Sequence, residues 1–471
     1  RPSIPVGITI MPIEFPPDLM VSVSGFRGKV GRPLTPELVT ALAANFGAFL
    51  KRSHPAAVVL LGRDSRTSGP MLSRSAAAGL QSVGCDVVDL GLVPTPTLLL
   101  AVEERGAAGG VVVTASHNPG EWNALKFASH EGLFLDAEAM GQFQGLLLTE
   151  DPPRADWREI GSWKADQGAV DRHLERILTL PFLDVPALKL RGFRVALDCV
   201  NGAGGVIMPH LLEALGCEVM GINVEAHGRF ARDPEPTAEN LEALGDAVRS
   251  AGADVGFAVD PDVDRLSLVA EDGTPLGEEL TLALASAVVL ERKAGPVVTN
   301  FSTSQVVDDV ARSLGGTVVR APVGEINVAR RMQQEGAVVG GEGNGGVILP
   351  ALHYTRDAPV GTALILQHLL DAGIPLGEAA GRWPRYFIKK EKRSFPRESL
   401  PGAYEALQRD LSAPEQDTTD GLRLSWPDEK VWLHVRPSGT EPVVRLIGEG
   451  PSEAQTAAVL KRASEIVDGV A

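Results

Sequence analysis

The chain has 471 residues, 44% of them hydrophobic and 22% charged, with a formal net charge of −16. That length exceeds the ~250–300 residues at which single cores stop growing, so it predicts a globular protein of about three or four domains. The acidic balance argues against nucleic acid and anionic membranes as partners, because both demand a clustered basic face.

No apolar run approaches the ~18 residues of a membrane span, and no N-terminal segment has a signal pattern. Neither membrane insertion nor export is therefore expected. The chain begins at Arg1 rather than Met, so the native start is expected upstream. Cys85, Cys199 and Cys217 are too scattered for a disulfide framework or a zinc site, which predicts a reducing, cytoplasmic setting. An anionic ligand would need local positive charge. Arg27, Arg63, Arg66, Arg265, Arg320, Arg436 and Arg445 each lie in or near a loop signal or strand end.

In chain order, Pro94 to Val102 reads as a helix, then Gly106-Ala107, then a short buried strand at Val111-Val112-Val113. The strand runs into Thr114-Ala115-Ser116-His117-Asn118-Pro119, an exposed loop with a serine at a strand's C-terminal end, where α/β sheets bind ligands. An ordinary strand-to-helix turn is the alternative. The loop lacks the Gly-x-Ser-x-Gly elbow of serine hydrolases, and on an extended backbone His117 would point away from Ser116. No Gly-x-x-x-x-Gly-Lys-Ser/Thr phosphate loop is present.

The same plan recurs from Pro236 through Leu241, Leu244 and Val248, Gly252-Ala253 and Val255 to Val259, into Asp260-Pro261-Asp262-Val263-Asp264-Arg265. In an extended loop the three carboxylates would face one way and repel, which a hard divalent cation resolves. An EF-hand is rejected because Arg265 stands where that loop needs glycine. A solvated acidic turn stays open. The third copy runs from Pro322 through Ile326, Val328 and Met332, then Gly336-Ala337-Val338-Val339, into Gly340-Gly341-Glu342-Gly343-Asn344-Gly345-Gly346. Three similar α/β domains follow, each offering a loop from one topological position.

After Trp383 the pattern changes to short strands, Arg385 to Ile388, a hairpin of Leu422–Trp426 with Val431–Val435, and Val443–Ile447, closed by an amphipathic helix from Ser452 to Val470. Between strands lies Arg436-Pro437-Ser438-Gly439-Thr440-Glu441-Pro442, which has the guanidinium, hydroxyls and flexible backbone of a phosphate clamp. A plain Pro/Gly turn is the alternative. The expected domains are 1–183, 184–278 and 279–382, all α/β with mixed sheets, and an α+β domain at 383–471.

Together with Ser24-Gly25-Phe26-Arg27-Gly28, these loops resemble, in order, the motifs of the α-D-phosphohexomutase family. The resemblance implies four domains around a central cleft, with Ser116 as a phosphoserine that also meets the metal. It implies that Asp260, Asp262 and Asp264 hold one Mg²⁺ per chain. Arg27, His117, Lys126 and Arg265 would serve the reacting phosphate, Lys126 as a proton shuttle. Gly324, Glu342 and Asn344 would bind the sugar, and Arg436, Ser438, Gly439 and Thr440 the non-reacting phosphate. The implied reaction interconverts hexose 1- and 6-phosphates through a hexose 1,6-bisphosphate, in a monomer or homodimer. Ser22-Val23-Ser24-Gly25 departs from the usual Gly-Thr-Ser-Gly. Gly341–Gly346, with Val323-Gly324-Glu325-Ile326-Asn327-Val328, looks like archaeal-type phosphoglucosamine mutases, so glucosamine phosphate is the expected substrate, with mannose or glucose phosphate as the alternative. A non-catalytic sugar-phosphate-binding paralogue is the alternative of another class.

Overall fold

The computed structural model describes residues 14–149, 151–438 and 443–470. Four sheets succeed one another along the chain. The first runs, edge to edge, Met20–Ser22, Gly25–Lys29, Trp122–Ser129, Gly109–Val113, Val58–Arg63, Asp86–Leu92 and Trp163–Ala165. The second runs Pro275–Gly277, Leu266–Val269, Val255–Val259, Arg194–Asp198 and Glu218–Ile222, and the third His353–Arg356, Gly346–Leu349, Val339–Glu342, Pro296–Asn300 and Thr317–Ala321. In all three, parallel strands with crossover helices are followed by antiparallel neighbours on one side. The three expected loops leave the corresponding strand in each sheet. The third is shorter than the sequence suggests, because Gly340 to Glu342 still belong to the strand.

The repeated Gly-Ala pairs have one physical cause. Gly106, Gly252 and Gly336 end their helices in the left-handed region, at φ 57°, 58° and 62°. The next N–H then reaches back to close the helix, Ala107 to Val102 O at 3.1 Å, Ala253 to Val248 O at 3.0 Å and Ala337 to Met332 O at 3.0 Å. This is the six-to-one closure that a glycine just past the last turn permits.

Two compact units emerge. One runs to His173 and takes in Asn201–Val206 and Glu225–Pro234; the other comprises Leu174–Val200, Ile207–Val224 and Glu235 onward. In the first, Phe26 and Phe127, on one face of the sheet, pack edge-on and tilted against Phe46 of helix Pro36–Lys51 and Phe143 of helix Ala137–Thr149, in a core that helix Gly69–Ser82 also joins. Helix Thr95–Glu104 covers the other face. In the second, helices Glu279–Arg292 and Ala358–Ala372 are buried almost all round. Neither they nor any other helix among the described residues is long and apolar enough to cross a membrane.

The fourth sheet is antiparallel throughout, in the order Phe387–Ser394, Val443–Gly450, Val431–Pro437, Leu422–Trp426 and Glu415–Asp417. Helices Leu400–Leu411 and Glu453–Asp468 pack on its apolar face. Its edge strand begins at Phe387, not Arg385, and continues through the charged run Lys389 to Arg393, which hides the alternation that marks a strand.

Candidate active site

The serine loop is held by backbone chemistry. Ser116 lies in the left-handed region at φ 49°, a conformation that costs a non-glycine residue ~1–2 kcal/mol and persists only where its surroundings impose it. Its N–H donates to Thr114 Oγ1 at 3.0 Å, and that hydroxyl donates to Asp64 Oδ2 at 2.6 Å. The residue is 4% exposed, so the expected exposed serine is in fact tucked in. The turn at Ser116 also corrects the expected position of His117. Because the backbone is not extended there, His117 Nδ1 comes within 3.3 Å of Ser116 Oγ.

Arg27 reaches the same loop, its Nη1 donating to Asn118 Oδ1 at 2.6 Å. Arg27 pairs with Ala124, and Lys126 is two residues farther along that strand, so both cations project from one sheet face. Lys126 is buried, its ammonium 5.4 Å from the Phe134 ring centre.

In the second unit Asp260, Asp262 and Asp264 are fully buried, and each offers an oxygen within 4.8 Å of the others. Convergence comes from a tight turn rather than an extended loop. Val263 has φ 66°, and the N–H groups of Asp264 and Arg265 fold back to Asp260 Oδ1 at 3.1 and 3.2 Å. Burial, reinforced by the charges of Asp264 and Asp262, pushes the Asp260 carboxyl well above the usual carboxylate range. Such a cluster fits a hard divalent cation, whose charge would offset that cost.

Arg356, absent from the residues singled out in the sequence, ties this loop to the next. Its Nη2 donates to Asp264 Oδ2 at 2.5 Å, its Nη1 to Glu342 Oε2 at 3.1 Å, and its Nε lies 3.3 Å from Glu325 Oε2. Glu342 Oε1 accepts from Asn300 Nδ2 at 2.8 Å and from the Gly324 N–H at 3.1 Å. Burial would raise the Glu342 pKa, but Arg356, Asn300 and the Gly324 N–H outweigh it and hold it below the ordinary value. Arg265 pairs with Glu235 at 3.1 Å. Asn344 Oδ1 accepts from the Gly346 N–H at 3.3 Å, bracing the tip of the loop that follows Glu342.

Gly343 lies against Glu279, where an added Cβ would stand 2.0 Å from Oε2. Glu279 Oε2 accepts from the Ser304 N–H, yet burial pushes this carboxyl up to about 8 despite Lys390 nearby. From its ordinary 4.5 up to about 8, the folded chain keeps a proton that the unfolded chain releases. Stability therefore falls as pH rises through that window. Glu279→Gln should remove the loss: its urea midpoint should exceed the parent's at about pH 8.5 and match it at about pH 4. Equal midpoints at both pH values would contradict this assignment.

In the fourth sheet Arg436 stands directly opposite Arg445, which in turn faces Lys392. Like charges so placed repel, and a bound anion would relieve them. Asp420 orients Arg436, with its Oδ2 3.2 Å from Arg436 Nε, and also accepts from the Val323 N–H at 2.9 Å. A continuous chain thus runs from Arg436 through Asp420, the Val323-Gly324 backbone, Glu342 and Arg356 to Asp264. Ser438 is buried, its N–H bonded to Val443 O at 2.8 Å and its carbonyl to Arg397 Nη2 at 2.7 Å. Gly439 and Thr440 lie outside the described residues.

Family models match the chain in four consecutive stretches. They are phosphoglucomutase/phosphomannomutase α/β/α domain I over residues 19–151, domain II over 171–273, domain III over 277–386, and the C-terminal domain over 391–466. A probable phosphoglucosamine mutase of Methanopyrus kandleri is 38% identical, with 91% of this chain and 93% of the relative covered. A phosphoglucomutase/phosphomannomutase of Thermococcus kodakarensis is 37% identical, with 94% and 97% covered. A solved phosphoglucomutase/phosphomannomutase family protein of Burkholderia thailandensis superposes with a TM-score of 0.82 at 26% identity, covering 96% of this chain and 98% of that one.

Proposed function

The chain belongs to the phosphoglucomutase/phosphomannomutase family and is a phosphohexomutase, and from that premise we propose that it acts on glucosamine phosphate with Ser116 as its phosphoryl carrier. The observation that carries the reading is the three-fold recurrence of one strand–loop–strand position, filled by a strained serine, a buried carboxylate cluster and a glutamate-bearing glycine loop. The division at 183/184, 278/279 and 382/383 goes with it, since none of the three boundaries cuts through a helix or strand.

The reaction needs positioning and charge neutralisation above all. The phosphoryl group leaves Ser116 Oγ for a sugar hydroxyl, giving a hexose 1,6-bisphosphate. After the sugar reorients, the other phosphoryl returns to Ser116, and the serine–phosphate bond is restored. His117, next to Oγ, and Lys126 are the groups proposed to hold the proton exchanged between the sugar hydroxyl and the enzyme. Arg27 and Arg265 neutralise the phosphate. Asp260, Asp262 and Asp264, with the serine phosphate, would hold one Mg²⁺, which supplies Lewis-acid stabilisation of the phosphoryl oxygens. Gly324, Glu342 and Asn344 would hold the sugar; Glu342, already accepting three bonds, retains room for a hydroxyl. Arg436 and Ser438, with Gly439 and Thr440, would hold the distal phosphate.

Glucosamine phosphate is favoured by the Gly341–Gly346 loop and by relatives of 38% and 34% identity with that name, and glucose or mannose phosphate by the 37% relative. A side-by-side assay of glucosamine, mannose and glucose 1-phosphates, with and without chelator, decides. Highest kcat/KM for glucosamine 1-phosphate, lost on chelation and restored by Mg²⁺, is expected; preference for another sugar would refute the substrate assignment.

Arg436→Ala should raise KM strongly and kcat only modestly reduce, since a non-reacting phosphate is held alike in ground and transition states. Arg436→Lys keeps the charge but loses the fork, so it should recover part of the affinity. Steady-state kinetics checks this. An unchanged KM for every hexose phosphate would remove Arg436 from the clamp.

A further inference from the structure

The most fully bonded side chain near the serine loop is one the proposed chemistry does not use. Arg66 is 0% exposed, and all five of its guanidinium donors are engaged. Nε donates to Asp64 Oδ2 at 2.9 Å. Nη1 donates to the carbonyls of Pro119 at 2.7 Å and Trp122 at 2.9 Å, and Nη2 to those of Ser116 at 2.5 Å and Asn118 at 2.7 Å. A core arginine kept only for packing needs one counter-ion. This one spends four donors on carbonyls of a single seven-residue stretch, and its counter-ion Asp64 also holds Thr114, which holds the Ser116 N–H. Residue 116 is therefore gripped at both ends of its backbone by the Asp64–Arg66 pair.

The lid on this grip comes from a distant part of the sequence. The Glu225–Pro234 excursion packs on it, with the Phe230 ring 5.0 Å from the guanidinium carbon. Gly228 sits so close that a Cβ there would stand 1.9 Å from the Ser65 carbonyl oxygen. Asn201 ties the two together, its carbonyl accepting from Ser65 Oγ at 2.8 Å and from the Gly228 N–H at 3.0 Å. Water is thereby excluded from Arg66, and its bonds to the loop are strengthened accordingly.

We propose that Arg66 is a positioning residue for phosphoryl transfer, fixing Ser116 in its left-handed conformation through the carbonyls of residues 116 to 122, with Phe230 as the cover that keeps the guanidinium dry. The inference rests on Ser116 being the carrier. Arg66 touches neither substrate nor reacting atoms, so its loss should misaim Oγ and leave substrate binding nearly intact. A displacement of about 1 Å in such a group costs on the order of 10²-fold in rate.

The test uses the full-length enzyme, with kcat and KM measured for Arg66→Ala, Arg66→Lys and Phe230→Leu. Arg66→Ala should lose about 10²-fold in kcat with KM changed by less than about threefold. Added guanidinium chloride should recover part of that kcat, whereas ammonium chloride, a cation without the planar fork, should not. Arg66→Lys should stay close to the alanine variant. Phe230→Leu, which leaves the buried ion pair in place, should lower kcat by about tenfold at unchanged KM, and it decides the matter if the Arg66 variants do not fold. Near-parental kcat in a folded Arg66 variant or in Phe230→Leu, or rescue by either cation alike, would overturn the proposal. Phosphopeptide mapping of the parent keeps the two readings apart: phosphate absent from Ser116, with Ser116→Ala active, would instead overturn the carrier assignment.

Discussion

Ser116→Ala should lose nearly all turnover, by at least about 10³-fold, while unfolding at almost the same denaturant concentration as the parent. The loss follows from chemistry, because alanine has no hydroxyl to carry the phosphoryl, and the loop's other hydroxyl, Thr114 Oγ1, is buried and bonded to Asp64. The unchanged stability follows from the bonds that hold residue 116. Its N–H to Thr114 Oγ1 and its carbonyl to Arg66 Nη2 are backbone interactions and survive in alanine. The hydroxyl's contact with His117 is long, at 3.3 Å, and contributes little. Parallel measurement of kcat and urea midpoint checks both halves. An active variant refutes the carrier role, and a large drop in midpoint refutes the account of what holds the loop.

Arg356→Met should have the largest effect on stability. Arg356 is 8% exposed and its guanidinium faces Asp264, Glu325 and Glu342, so its removal leaves buried carboxylates without their shared cation. Breaking a buried pair from one side costs ~3–5 kcal/mol, far more than the net worth of the pair itself. Mg²⁺ should return part of that loss, since a divalent charge at the aspartate loop compensates Asp264 but not Glu325. A ligand that binds only the folded state raises stability by mass action, so the variant's melting temperature should depend on Mg²⁺ more steeply than the parent's. Thermal unfolding with and without Mg²⁺ reads this directly. A melting temperature equal to the parent's in metal-free buffer would contradict the role given to Arg356.

Local patterns made the α/β repeats legible. The Gly-Ala pairs read in the sequence are the left-handed helix ends at Gly106, Gly252 and Gly336, a requirement met within six residues. The strand at Val111 to Val113 and the helix capped by Ser452, whose side chain accepts from the Gln455 N–H, were equally local. What the sequence hid depends on distance. Arg356 is one arginine in a short strand, and its importance appears only when Asp264, 92 positions away, and Glu342 converge on it. Arg66 stood out as a loop arginine, but nothing nearby foretold that its donors would serve carbonyls some 50 residues later. The edge strand Phe387–Ser394 is legible only at its start, Phe387-Ile388, because its lysines mask the rest. The turn at Ser116 inverted the expectation for His117, because one backbone angle re-aims a neighbouring side chain by more than any propensity can foresee.

The central claim is that Ser116 hands its phosphoryl group to the sugar. The enzyme should be phosphorylated with labelled hexose bisphosphate, freed of ligand, and mapped by phosphopeptide analysis before and after a single-turnover chase with unlabelled glucosamine 6-phosphate and Mg²⁺. The account predicts label on Ser116 before the chase and in the sugar afterwards, with Ser116 label lost at a rate no slower than kcat. Label on another residue, or label that stays on Ser116 while product forms, would contradict it.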